Sequence, residues 1–191
     1  MQHPADDLDI RNPQLLLCVN MQKGQVSADR RQALADQGGA LAACEAVLAA
    51  WRGRMWPVAH LKRVAQAAWF GPMGELTDWL DGWRPVPGEM VFEHPLPSAY
   101  SSPRFAEYMR YIGPTTCTLI GFALEDTVLA TVIDGFHRGH QLRVVEETVA
   151  CRELAYCEPT IYRKVLLGLV ENYAAIPPLQ SLLQPAVHRA H

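Results

Sequence analysis

The chain has 191 residues, 17 Lys+Arg against 20 Asp+Glu, a formal net charge of −3, and 49% hydrophobic residues against 19% charged. That balance excludes a disordered chain, and the length suits one domain able to bury roughly 70% of its unfolded surface without disulfide or metal staples. The slight negative charge argues against nucleic acid, which calls for a concentrated basic face, and no apolar run reaches the roughly 18 residues of a membrane span.

Met1 to Leu8 is polar and acidic, unlike a secretory signal. The five cysteines, Cys18, Cys44, Cys117, Cys151 and Cys157, are odd in number and form no Cys-x-x-Cys pair. They read as buried free thiols in a reducing compartment, so the expected location is the cytoplasm. Residues 1–12 read as a flexible lead, 13–184 as one domain and 185–191 as a loose tail.

In chain order, Leu15 to Val19 is a continuous apolar run of strand length, expected at the centre of a sheet buried on both faces. Leu41, Cys44, Val47, Leu48 and Trp51 recur at helical spacing, which predicts a helix over 40–51 with Gly53 ending it. Trp56 to Leu61 is a second strand. The Trp-, Gly- and Pro-rich stretch 63–88 is irregular, with a short helix predicted from Glu75 to Leu80. Met90 to Phe92 forms a third strand, and Ser102-Pro103 opens a helix that closes at Gly113. Thr115 to Ile120 is a fourth strand, followed by a helix carrying Leu129, Val132, Ile133 and Phe136. Gln141 to Val145 is a fifth strand, Tyr162 to Tyr173 a last long helix, and Pro177-Pro178 breaks whatever short strand comes next. Strands alternating with helices imply a mostly parallel sheet in an α/β/α sandwich, whose ligands sit beyond the carboxyl ends of the strands. Asn20, His94 and the turn from Gly121 to Thr127 occupy those ends.

These segments resemble the isochorismatase-like, or cysteine hydrolase, superfamily. Leu16-Leu17-Cys18-Val19-Asn20-Met21-Gln22 resembles its first strand, which ends in Asp-x-Gln. His94-Pro95-Leu96-Pro97-Ser98-Ala99-Tyr100 resembles its Lys-x-x-x-Ser-Ala-Phe segment. The stretch from Gly121 through Thr127-Val128-Leu129-Ala130-Thr131 resembles its Gly-x-x-x-x-x-Cys-Val-x-x-Thr turn, and Arg138-Gly139-His140 its Arg-Gly-Tyr. The resemblance implies a six-stranded parallel sheet between helix layers, a homo-oligomer (dimer or tetramer), and hydrolysis of small amides or, in one branch, a vinyl ether.

The family's chemistry rests on an Asp base, a charge-stabilising Lys and a Cys nucleophile, and here those catalytic positions hold Asn20, His94 and Thr127. An amide cannot accept the nucleophile's proton, and a threonine hydroxyl is not ionised by a helix end alone. Glu125 and Asp126 beside Thr127 oppose an anionic intermediate. The resemblance also places Gln22, Trp69, Tyr100, Ala123, Glu125 and Asp126 around a ligand, with Trp79 and Trp83 read as packing. His60 alone does not make the metal site of nicotinamidase-type members, so no metal and no cofactor are expected. The favoured expectation is a fold retained with its cysteine-hydrolase activity lost, binding a small molecule or a partner chain. The alternative is an active hydrolase of a small amide, ester or enol ether using Thr127 with His94, or a water oriented by His94 and Glu125.

Overall fold

The computed structural model describes residues 14–26, 37–64 and 77–184. Five strands form one parallel sheet in the order β3-β2-β1-β4-β5: β1 (Leu15–Val19), β2 (Val58–Arg63), β3 (Met90–His94), β4 (Cys117–Phe122) and β5 (Leu142–Ala150). All five residues of β1 are buried, and its alternating side chains serve two cores, because successive Cβ atoms point to opposite faces. Leu15, Leu17 and Val19 meet Phe105, Met109 and Val132, from α3 (Pro103–Ile112) and α4 (Leu129–His137), together with Leu166 and Leu167 of α5 (Pro159–Val170). Leu16 and Cys18 meet Cys44, Val47, Leu48 and Trp51 of α2 (Gln37–Gly53), the helix after the single-turn α1 (Lys23–Val26), with Leu182 of the short α6 (Leu179–Leu183) beside them. Full burial of each such aliphatic side chain contributes about 1.5–3 kcal/mol. Two cores on one sheet make the α/β/α sandwich.

A sixth strand is absent among the described residues; its place is held by a single parallel bridge between Arg143 and Ala175. Ala175 N–H donates to Leu142 and Val144 N–H to Ala175, but Pro177 and Pro178 follow and cannot donate to a ladder. The helix predicted from Glu75 to Leu80 falls partly outside the described residues; of its described part, Thr77 lies in a 3-10 turn and residues 78–80 are not helical. Trp79 bridges antiparallel to Gln22, Leu80 N–H donates to Met21, and Lys23 N–H donates to Asp78. Those contacts take the backbone groups a helix would use.

The strand order reverses at β1, with β2 on one side and β4 on the other. Such a reversal opens a crevice at the carboxyl ends of the strands. At Gly121 the two strands pack so closely that a Cβ would lie 2.2 Å from the Val19 carbonyl oxygen, and φ is 113°. Only glycine fits there. It lets β4 run alongside β1 to the turn that carries Thr127.

Candidate active site

Three elements converge at the reversal. Asn20 follows β1 directly, at φ 49°, a left-handed conformation that asparagine enters more readily than most residues. Its N–H donates to Leu61 at 2.9 Å, which ties the bend to β2. His94 is the last residue of β3. Thr127 lies in a π-helical turn, Leu124–Val128, between β4 and α4; such turns recur at functional sites. All three side chains are buried, at 1%, 0% and 0% exposure.

They form one hydrogen-bonded chain. The Asn20 amide nitrogen lies 2.8 Å from Thr127 Oγ1, and the amide oxygen 3.0 Å from His94 Nε2. His94 Nδ1 faces the Leu96 carbonyl at 2.8 Å. A carbonyl only accepts, so Nδ1 carries a proton. Burial holds the imidazole at about 4, helped by the nearby Arg63 charge and opposed by the Leu96 bond, so at neutral pH Nε2 is a bare acceptor. Facing the amide oxygen, it would set acceptor against acceptor. A half-turn of the amide resolves this: its N–H donates to Nε2 and its oxygen accepts from the Thr127 hydroxyl.

Both orientations have the same chemical consequence. In one, Thr127 Oγ1 accepts from the amide; in the other, its proton rests on an amide oxygen, a very weak base. In neither does the hydroxyl reach the imidazole, because Asn20 stands between them. Neutral His94 also lacks the positive charge that the resemblance assigns to a lysine at this position. The chain Thr127–Asn20–His94–Leu96 is closed and uncharged.

The surrounding predicted residues divide. Gln22 accepts from Arg63 N–H at 2.8 Å and donates to the Arg63 and Thr77 carbonyls at 3.1 and 3.0 Å, so its amide braces backbone. Tyr100 turns into the core, edge-on to Phe105, with its hydroxyl 2.6 Å from His140 Nδ1. Thr131 accepts from Ala99 N–H at 2.9 Å, which joins the Ser98-Ala99-Tyr100 segment to α4. Ala123 opens the π-helical turn, and its carbonyl accepts from Asp126 and Val128. Glu125, 6% exposed in its side chain, pairs with Arg152 at 3.1 Å, and burial pushes its carboxyl up. Asp126 points outward, 3.6 Å from Arg63 Nη1. Trp69 lies outside the described residues.

Arg63 and Arg152 were not singled out from the sequence. The available signal for Arg63 was its place at the end of β2, beside His94 in the register of the sheet. Among the described residues no group of three or more His, Cys, Asp or Glu could hold a metal ion, and no helix is long and apolar enough to cross a membrane.

A parallel sheet with this strand order between two helix layers, and a buried residue trio at its switch point, define a three-layer α/β/α fold with its candidate site at the carboxyl ends of the strands. The profile of the isochorismatase domain matches residues 14–161, and the chain belongs to that family. Solved structures agree in fold. An isochorismatase from Pseudomonas putida KT2440 is 23% identical, covering 88% of this chain and 89% of its own, with a TM-score of 0.80. A cysteine hydrolase from Pseudomonas syringae pv. phaseolicola 1448A is 12% identical over 96% and 97%, with a TM-score of 0.82. N-carbamoylsarcosine amidase from Thermoplasma acidophilum is 21% identical over 88% and 97%, with a TM-score of 0.68. No protein of curated function matches in sequence.

Proposed function

We propose that this family member has lost cysteine-hydrolase chemistry and uses the crevice around Asn20, His94 and Thr127 to bind a small molecule or a partner chain. One observation carries the reading: the Asn20 amide is interposed between the only hydroxyl and the only imidazole of the trio, 2.8 Å from one and 3.0 Å from the other. A general base must reach the proton it removes, and an amide in that place neither accepts the proton nor relays it. Four further parts of the reading stand as expectations: a cytoplasmic location, a homo-oligomer (dimer or tetramer), no nucleic-acid partner and no cofactor. Ile161, Val165 and Leu169, exposed at four-residue spacing along α5, support the oligomer. Leu182 near the C-terminus is 2% exposed and packs on α2, so it is not available for such a contact.

A second reading keeps activity: Thr127 as nucleophile and His94 as base, the imidazole being oriented by Leu96 much as a third residue orients a catalytic histidine. Turnover separates the two. The full chain is assayed on a panel of small amides, esters and enol ethers, with Thr127→Ala and His94→Ala alongside. The expected result is no turnover above background in any of the three. Hydrolysis by the natural chain that disappears in both variants would establish the second reading instead.

A further inference from the structure

Among the described residues, four of the six buried polar side-chain atoms without a hydrogen-bond partner belong to three residues beside the Thr127 turn: Arg63 Nε and Nη1, Glu125 Oε2 and Arg152 Nε. Buried polar groups in folded proteins are overwhelmingly paired, and an unpaired one signals strain, a catalytic role or a missing partner. Glu125 and Arg152 answer each other across 3.1 Å. Arg63 has no comparable answer. Its side chain is 13% exposed, and among the described residues its ionic neighbour is Asp126, 3.6 Å from Nη1 with its own carboxylate 41% exposed. Nε, on the guanidinium edge away from Nη1, has no hydrogen-bond partner among the described residues.

The backbone that carries this guanidinium is held in place. Gln22 holds both the N–H and the carbonyl of Arg63, at 2.8 and 3.1 Å, which anchors the end of β2. Arg63 lies opposite His94 in the β2–β3 register, one strand from Asn20. The cation therefore sits at the carboxyl ends of the strands, beside the closed uncharged chain of the trio. Burial disfavours a charged guanidinium, and arginine stays protonated regardless. A buried cation with an open hydrogen-bonding edge is stabilised by an anion.

We propose that Arg63 is the anion-binding subsite of the ligand crevice and that the ligand carries a carboxylate, gripped along the Nε–H edge of the guanidinium. The side-on fork of arginine grips two oxygens of an anion, and a carboxylate fits better than a phosphate because Asp126, 3.6 Å away, repels a dianion more strongly than a monoanion. The inference rests on the ligand-binding reading above and narrows it to acids, with the neutral trio facing the uncharged part of the molecule.

The test observes Arg63 directly. In the full chain, the Arg63 Nε–Hε resonance is assigned by its loss in Arg63→Lys and followed by ¹H–¹⁵N NMR. The probes are acetate, pyruvate and benzoate, against acetamide and benzamide as neutral counterparts and inorganic phosphate as the competing anion. Saturable movement with one or more carboxylates, none with the amides, and at least tenfold weaker binding of the same carboxylate by Arg63→Gln are expected. Arg63→Lys, which keeps the charge and loses the fork, falls between. Silence to every carboxylate, equal response to acid and amide, or tighter binding of phosphate than of any carboxylate overturns the assignment. The turnover panel is independent of it. Carboxylate binding in a protein that hydrolyses the panel leaves the subsite standing and removes the non-hydrolytic reading; an inactive protein blind to carboxylates does the reverse.

Discussion

Two buried histidines, one within β2 and one at the end of the neighbouring β3, are treated in opposite ways. His60, within β2, is 0% exposed and 2.8 Å from Glu89, which also holds Arg52 of α2 through two bonds of 2.7 and 3.0 Å and accepts from Val86 N–H at 3.0 Å. His94, equally buried, meets only an amide and a carbonyl. Burial lowers both imidazoles. The first belongs to a charged network that fastens α2 to the start of β3; the second belongs to an uncharged chain at the open end of the sheet. Ion pairs occur near both histidines, Arg52–Glu89 beside the first and Arg63–Asp126 and Glu125–Arg152 around the Thr127 turn near the second. The difference is that His60 touches its carboxylate directly, whereas the trio containing His94 holds no charged member.

The charged network can be broken most severely. In Glu89 burial favours the neutral acid, but bonds from Arg52, Val86 and His60 outweigh it and hold the carboxyl at about 2. Glu89→Ala strands a guanidinium, an imidazole N–H and a backbone N–H together. Removing one partner of a buried ion pair costs about 3–5 kcal/mol, and denaturant unfolding of Glu89→Ala is expected to show a loss in that range. A loss below about 1 kcal/mol would place this network with ordinary surface pairs and dissolve the contrast.

The uncharged chain is tested by acid. His94 titrates near 6.5 when unfolded and at about 4 when folded. Between those values the unfolded state holds more protons, so stability rises with pH. The contribution is complete above about 6.5 and is lost as pH falls to about 4, amounting to about 3 kcal/mol at 1.36 kcal/mol per pKa unit. His60 acts in the same direction, and Glu89 adds a further loss below its ordinary 4.5. Unfolding free energy measured from pH 7 to 4 is expected to slope steeply in the natural chain and distinctly less in His94→Gln. Equal slopes would mean that His94 takes its proton as readily folded as unfolded, and the neutral-imidazole argument would fall.

The sequence exposed one end of this contrast and hid the other. β1, β4 and the turn after Gly121 were legible because burial on both faces demands unbroken apolar runs, and because the resemblance fixed Asn20, His94 and Thr127 by spacing. β5 runs past its predicted end: Glu146 and Glu147 interrupt the apolar run at Val145, yet the strand continues to Ala150 with those two residues exposed. The last long helix begins three residues before its predicted start, because Pro159 at its first turn and the Glu158 carboxylate capping Ile161 N–H start it there. The Arg52–Glu89–His60 network could not be read, since its members come from a helix, a turn and a strand and meet only through the β2–β3 register. Arg63 is hidden for the same reason: an unpaired N–H is a property of its surroundings, and no residue pattern displays it.

The smallest expected effect bears most directly on the trio. Thr127→Val keeps the shape of the side chain and removes the hydroxyl. The valine methyl fills the same buried space, so no cavity term enters, and the cost is that of leaving one end of the Asn20 amide without a partner, about 1–3 kcal/mol. If the hydroxyl belongs to a closed hydrogen-bonded chain, stability falls by that amount, and the His94 Nε2 resonance moves as its amide neighbour is freed to reorient. If the hydroxyl were instead a nucleophile resting loosely beside the amide, the substitution would leave stability and the His94 resonance unchanged while abolishing any turnover. Thermal unfolding and imidazole ¹⁵N shifts measured on this one variant therefore ask whether Thr127 serves here as a structural hydroxyl or as a reagent.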